Sequence, residues 1–190
     1  MAVYDTSELR KGLKVTIDGY PYNIVYFQFV KPGKGQAFTR TKLKNMVTGN
    51  VLERTYKSGE KLEKADLESR EMQFLFKEAD AFVFMDNSSY EQISITAEQL
   101  GENKFYLLDN TMVEVLLFQG RPIDVTPPVF VELKVVAADP GFKGDTSGNP
   151  SKPATMETGL KVDVPLFVNE GETLRIDTRT GEYVERVNKR

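Results

Sequence analysis

The sequence contains neither cysteine nor histidine, and these two absences exclude several classes of chemistry. Without cysteine there is no disulfide framework and no thiolate nucleophile. Without histidine the commonest general base and the commonest transition-metal ligand are also missing. Ser-His-Asp catalysis, Cys-His catalysis and standard zinc sites are therefore excluded, and only carboxylate- or lysine-based catalysis stays open.

The sequence also lacks a long apolar run and a recognisable targeting segment. No stretch approaches the roughly 20 apolar residues that span a bilayer. The N-terminal residues 1–5 lack the basic-then-apolar order of a signal peptide. Hydrophobic residues make up 40% of the chain and charged residues 28%, which is ordinary for a globular protein. We therefore expect a cytoplasmic protein without a membrane partner. We also expect a monomer.

Acidic residues are missing from one part of the chain in particular. The formal net charge is -3, but residues 1–64 carry +6, residues 65–128 carry -8 and residues 129–190 carry -1. No Asp or Glu occurs between Asp18 and Glu53, whereas five cations do. This distribution predicts that the first third meets a polyanion, and that the acidity of the middle third serves solubility.

A short Pro/Gly cluster lies inside this acid-free segment. Tyr22–Val30 before it and Thr39–Lys44 after it are rich in strand-forming residues, which predicts a β-hairpin. Pro32 and Gly33 suit the central positions of a type II turn, because Pro presets its φ and Gly accepts a positive one. Lys34 then lies between two glycines, so the hairpin is expected to present it outward.

Three cations follow the turn at alternating positions. On a strand, Arg40, Lys42 and Lys44 share one face because successive side chains point to opposite sides. A row of cations without compensating carboxylates suits the backbone of a nucleic acid. The alternative is a solvated hairpin edge, where lysine also discourages strand pairing. The pattern alone leaves both readings open.

The remaining pattern predicts an all-β chain of short strands separated by turns. Strands are expected at 13–17, 51–56, 72–76, 81–85, 105–108, 112–118, 129–137, 173–177 and 182–187, with one short helix at 96–101. Residues 139–153 are rich in Pro, Gly, Asn and Ser and are expected to be irregular.

Two segments are predicted to separate domains. The sign of the charge changes across 61–66, and the Pro-containing segment 121–128 cannot pair as a central strand. These boundaries predict three small domains at 1–64, 65–128 and 129–190. Because domains of about 60 residues are near the lower limit of independent stability, mutual packing or fixed linkers are expected.

Two separated motifs resemble one family. The segment Lys31-Pro32-Gly33-Lys34-Gly35-Gln36-Ala37-Phe38 resembles the tip of the N-terminal domain of bacterial translation elongation factor P. Lys152-Pro153-Ala154, then Gly159, then Val162–Gly171, resembles the C-terminal pattern of the same family. The resemblance extends over essentially all 190 residues.

The resemblance implies a fold and a function. The family has an N-terminal SH3-like (KOW-like) barrel and two OB-like barrels, in an L-shaped arrangement resembling tRNA. It binds both subunits of the ribosome between the peptidyl-tRNA and exit sites, positions the CCA end of peptidyl-tRNA, and stimulates peptide-bond formation at polyproline stalls. The ribosome performs the chemistry, so the resemblance implies a non-enzyme without a cofactor, a metal or catalytic residues.

The resemblance also assigns roles to individual residues. It implies that Lys34 approaches the CCA end and can carry a covalent modification such as β-lysylation, added by a dedicated enzyme. The neighbouring residues Lys31, Pro32, Gly33 and Gly35 would shape the tip. Our electrostatic candidates for contact with the tRNA backbone are Arg40, Lys42 and Lys44.

Towards the C-terminus the resemblance points to two further groups. The loop containing Gly144, Asp145, Thr146 and Gly148 resembles the loop that reaches towards the small subunit and the exit-site codon. Tyr183 and Arg186 lie in the terminal motif and are expected to face RNA; a core tyrosine and a surface arginine are the alternatives.

Two other functions are considered. A generic OB-type RNA-binding protein acting off the ribosome would share the basic first third. A carboxylate-based hydrolase is disfavoured because the sequence has no convergent acidic pair at a readable spacing.

Overall fold

A computed structural model of the chain describes residues 2–140 and 150–187. The described residues form sixteen strands, one short α-helix and two 3-10 turns. The strands are β1 Val3–Asp5, β2 Lys14–Ile17, β3 Tyr20–Val30, β4 Phe38–Asn45, β5 Val51–Lys57, β6 Lys61–Lys64, β7 Leu67–Glu78, β8 Ala81–Met85, β9 Gln92–Thr96, β10 Met112–Phe118, β11 Arg121–Thr126, β12 Phe130–Ala138, β13 Ser151–Met156, β14 Lys161–Pro165, β15 Thr173–Asp177 and β16 Glu182–Val187. The helix α1 is Ala97–Leu100, and the 3-10 turns are Thr6–Glu8 and Gly101–Tyr106.

These strands form three sheets, which confirms the predicted all-β fold of three β-sheet domains. The first has six strands in the order β1-β6-β2-β3-β4-β5, the second has five in the order β11-β10-β7-β8-β9, and the third has five in the order β14-β13-β12-β15-β16. Two compact units result: Met1–Ser69 with Leu116–Asp124, and Arg70–Val115 with Val125–Arg190. Across the described ranges, no helix is both long enough and apolar enough to cross a bilayer.

The first sheet curls around a small apolar core. Val15, Ile24 and Leu43 on β2, β3 and β4 are fully buried. Between Ile24 and Tyr26 the pairing of β3 with β4 shifts, so that Val25 is one extra residue in β3. Because side chains alternate along a strand, this bulge exchanges the two faces of β3 for every residue after it. The outer part of β3 therefore has the opposite alternation to its base, whereas β4 keeps one alternation along its whole length.

The helix predicted at 96–101 is confirmed, although it is shorter. Thr96 is its N-cap: its hydroxyl accepts from the Gln99 N–H at 3.2 Å, and the Gln99 side chain accepts from the Thr96 N–H at 3.0 Å. This reciprocal capping box satisfies two backbone donors that a four-residue helix cannot satisfy internally.

The strand predicted at 105–108 is wrong, because the 3-10 turn extends to Tyr106. Long-range contacts hold this segment. Thr158 donates to the Phe105 carbonyl at 2.6 Å, and Tyr106 is buried in the core of the third sheet. The Asn103 amide donates to the Val125 carbonyl at 2.7 Å. Contacts formed by distant residues therefore override the local strand propensity.

Two Pro-containing segments are more regular than predicted. Residues 121–126 form β11, which lies at the edge of its sheet, where a proline is tolerated. Residues 151–153, predicted to be irregular, open β13. The ladder from β12 to β13 ends at Ala154, so Pro153 lies where β14 is the neighbouring strand in register.

Candidate functional site: the tip of the first hairpin

The candidate site is the loop that closes the β3–β4 hairpin, here called the tip loop (residues 31–37). The hairpin pairs as far as Val30 and Phe38, and the loop carries Lys34 as an exposed side chain. Two hydrogen bonds tie the C-terminal side of the loop to the turn after β5. The Gln36 amide donates to the Ser58 carbonyl at 3.1 Å, and the Ser58 N–H donates to the Ala37 carbonyl at 3.0 Å. The base of the loop is therefore fixed while Lys34 projects into solvent.

The predicted type II turn at Pro32-Gly33 is wrong. That turn needs a positive φ at Gly33, whereas the positive φ of the tip loop is found at Gly35, at +109°. The backbone of Gly35 is therefore one that side-chain-bearing residues rarely adopt. A Cβ at Gly33 would meet nothing within 4 Å, and one at Gly35 would lie 3.8 Å from the Pro32 ring. Conformation, not crowding, is what requires glycine at position 35.

The predicted basic face is confirmed as a geometric feature. Arg40, Lys42 and Lys44 are exposed, while the alternating residues Thr39, Thr41 and Leu43 are buried. We call Arg40, Lys42 and Lys44 the basic face. The side chain of Arg40 lies over the ring of Phe38, with its guanidinium carbon 5.5 Å from the ring centroid.

The expectation that this row has no compensating carboxylate is wrong at one position. Lys42 pairs across the sheet with Glu53, and their charged atoms lie 3.0 Å apart. The hydrogen bond to Glu53 raises the pKa of the Lys42 ammonium group. Both side chains are at least half exposed, so solvent screens the pair and leaves Lys42 able to exchange Glu53 for another anion.

The two C-terminal candidates have intramolecular partners. Tyr183 is half-buried and packs against the core of the third sheet. Arg186 is exposed, donates to the Glu172 carboxylate at 2.8 Å and lies over the ring of Phe167, 5.6 Å from its centroid. A hydrogen bond from the Asn169 N–H, followed by that from Arg186, lowers the pKa of Glu172. An RNA phosphate would have to share Arg186 with this carboxylate.

The described residues do not include the predicted codon-side loop, Gly144, Asp145, Thr146 and Gly148. Within residues 2–140 and 150–187, no group of three or more carboxylates is arranged to hold a metal ion.

Sequence reasoning missed the residues that support the tip. Ser58 is 22 positions from Gln36, and Glu53 is 11 positions from Lys42. A signal for Glu53 was present, since it is the first acidic residue after the cationic row and lies on the following strand. The exposure of Phe27 and Phe29 on β3 was also missed, because aromatic residues in a strand usually pack into a core.

Comparisons with known proteins cover all three domains. Sequence profiles match in order: the elongation factor P KOW-like domain at residues 5–62, the elongation factor P OB domain at 67–125 and the elongation factor P C-terminal domain at 131–186. The first two matches cover the tip loop and the acidic middle third, and the third covers the second motif that carried the resemblance.

Full-length relatives and a solved structure agree with these matches. Elongation factor P from Desulfotalea psychrophila is 55% identical over 183 residues, which are 96% of this chain and 98% of that protein. Elongation factor P from Syntrophus aciditrophicus is 53% identical over 185 residues, 97% and 99% of the two chains. The structure of eukaryotic translation initiation factor 5A from Methanococcus jannaschii has a TM-score of 0.58 and 26% identity over 66% of this chain and 92% of that chain. The chain therefore belongs to the elongation factor P family, and it is a translation elongation factor rather than an enzyme.

Proposed function

We propose that this factor binds the ribosome between the peptidyl-tRNA and exit sites and places Lys34 beside the CCA end of peptidyl-tRNA, where it stimulates peptide-bond formation at polyproline stalls. One observation carries the proposal. The tip loop presents Lys34 as an exposed cation between two glycines, on a loop whose base is fixed by Gln36 and Ala37. Such a tip can enter a narrow space with little steric bulk around the lysine.

The physical basis is positioning rather than proton transfer. Proline has a restricted φ and a ring in place of a free backbone N–H, so consecutive prolines hold the reacting groups in poor geometry. Restraining the end of the tRNA in an attack-ready pose lowers the entropic part of the barrier. A lysine suits this role because its compact ammonium group donates up to three hydrogen bonds to RNA oxygens.

The proposal includes the finer assignments that resemblance suggested. Three domains at 1–64, 65–128 and 129–190 would act as a monomer in the cytoplasm, contacting both ribosomal subunits and peptidyl-tRNA. The basic face would contact the tRNA backbone through Arg40, Lys42 and Lys44, since it combines exposure with positive charge. A modifying enzyme would extend Lys34, for example by β-lysylation, which lengthens its reach without altering the loop.

A reconstituted translation system with a message encoding three consecutive prolines tests this proposal. Protein purified from its own host should restore full-length product. Lys34→Ala should fold normally yet slow peptide-bond formation at the stall at least about tenfold, because the positioning contact is lost. The matched control is Lys11→Ala, which removes the same charge from an exposed turn of the same domain.

The following comparisons distinguish a specific role of Lys34 from a general effect of charge, from a need for modification and from RNA binding away from the ribosome. Full rescue by Lys34→Ala would contradict the role of Lys34, and an equal loss in Lys11→Ala would show that general charge matters instead. Recombinant protein lacking the modification, compared with native protein, tests the need for an extended lysine. Co-sedimentation with free RNA but never with ribosomes would favour an RNA-binding protein acting off the ribosome.

A further inference from the structure

Two exposed aromatic rings lie side by side close to the tip loop. Phe27 and Phe29 on β3 are 40% and 57% exposed, and they share one face because they are two residues apart on a strand. We call these two side chains the ring face. Tyr26, 45% exposed, points to the opposite side of the same strand. The first sheet therefore leaves two phenylalanines in solvent only a few residues before Lys34.

The neighbours of the ring face across the sheet are two threonines, one arginine and one buried tyrosine. Phe27 is in register with Thr41 on β4 and, beyond it, with Arg54 on β5. Phe29 is likewise in register with Thr39 and Tyr56. Both threonines are only 2% exposed, so the apolar surface that this part of the sheet presents to solvent comes mainly from the rings. The guanidinium carbon of Arg54 lies 5.6 Å from the centroid of the Tyr56 ring.

The charge around the rings limits the kind of partner that fits them. No acidic residue occurs between Asp18 and Glu53, and two of the five cations of that segment, Lys31 and Lys34, lie in the tip loop just beyond the rings. The other three cations form the basic face on the opposite side. Arg54 adds a further cation in the row of Phe27. A partner that buries aromatic faces while being attracted to positive charge is a polyanion with flat apolar groups. Unpaired nucleotides meet both requirements, since their bases stack on aromatic rings and their phosphates pair with arginine and lysine.

We propose that the ring face binds unpaired RNA nucleotides by stacking bases on Phe27 and Phe29, with Arg54 beside a phosphate. The inference rests on the proposed function only in that it expects RNA to approach the tip. It assigns a contact to the face of the hairpin opposite to the basic face. The basic face would then contact the RNA backbone through its positive charges, and the ring face would bind unstacked bases.

A titration of the purified protein followed by NMR tests the ring face directly. Heptaadenylate is the probe, and the ring resonances of Phe27, Phe29 and Tyr26 are followed in protein labelled in its aromatic side chains. Stacking should shift the resonances of both phenylalanine rings upfield, while those of Tyr26 stay nearly unchanged. An abasic RNA of the same length retains the phosphates, so it should shift the resonances of the basic face but not those of the rings.

The binding affinities of variants for heptaadenylate test the same proposal. Phe29→Leu should weaken binding of heptaadenylate about tenfold, because stacking on one ring is lost while an apolar side chain remains. Phe29→Tyr keeps the ring and should bind like the wild type. Tyr26→Leu is the matched control on the same strand, and it should also bind like the wild type. Melting temperatures of all variants confirm that each is folded.

Results that contradict stacking on the ring face can be told apart from one another. Unchanged phenylalanine resonances at millimolar RNA, or equal affinity of Phe29→Leu and the wild type, would overturn the proposal and leave the patch to a protein partner. Equal ring shifts with abasic RNA would show that charge alone brings RNA to the hairpin. None of these results depends on Lys34, so the ring face can fail while the translation assay succeeds, and the reverse.

Discussion

Removing the side-chain tie of the tip loop should loosen the loop without unfolding its domain. Gln36→Ala deletes the amide that donates to the Ser58 carbonyl at 3.1 Å and leaves the backbone bond from Ser58 to Ala37 in place. A hydrogen bond contributes about 0.5–1.5 kcal/mol net, and this one is exposed, so we take about 0.5–1 kcal/mol. That free energy corresponds to an increase of about two- to fivefold in local opening of the loop.

Amide hydrogen exchange measures this opening. The Ser58 N–H reports on the closed loop because it donates to Ala37, and it should exchange about two- to fivefold faster in the variant. The Ile24 N–H, which donates to the Leu13 carbonyl at 2.9 Å in the core region, should keep its exchange rate. Gln28→Ala, which truncates an exposed amide on β3, is the control. An unchanged rate at Ser58 would refute the anchoring role of Gln36, and faster exchange at both amides would mean that the whole domain is destabilised.

Two further predictions concern stability. The guanidinium of Arg179 forms hydrogen bonds with Asp177 and holds the pKa of that carboxyl at about 2 instead of the usual 3.8, so its contribution to stability is complete above about pH 4 and is lost as the pH falls towards 2. The difference in melting temperature between the wild type and Asp177→Asn should therefore narrow over that range, and a constant difference would contradict the pairing. Thr96→Ala removes the cap of α1 and should lower the free energy of unfolding by about 1 kcal/mol in urea denaturation, whereas Ser94→Ala on β9 should change it less. Equal losses in the two variants would argue against a specific capping contribution.

The sequence predicts most of the strands because their signals are local. Alternation of exposed and buried residues on β4 follows directly from Thr39 to Lys44, and the hairpin ends are marked by Pro and Gly. The capped helix at Thr96 is equally local, since the capping box needs only residues three positions apart. Features of this kind depend on neighbours in the chain and are therefore readable without coordinates.

The features that the sequence did not predict in the tip loop, in the segment 105–108 and beside Lys42 involve contacts between residues distant in sequence. The tip loop is tied to Ser58 by the Gln36 amide, and the backbone of the segment 105–108 is bound by Thr158. The candidate site was predicted at Lys34 and on the basic face, but the carboxylate beside Lys42 appears only when β5 pairs with β4. Loop conformation and charge pairing are set by these contacts, which local propensity does not encode.

The single extra residue at Val25 determines which side chains in the outer part of β3 lie on each face of the sheet. If β3 paired with β4 residue by residue, without the bulge at Val25, strict alternation from Ile24 would turn Phe27 and Phe29 towards the side of the basic face and Tyr26 towards the side of Leu43. The amino-acid sequence and the net charge would be the same in both registers. The bulge in the stem therefore decides which side chains of β3 lie on the side of the basic face, independently of the sequence of the tip loop.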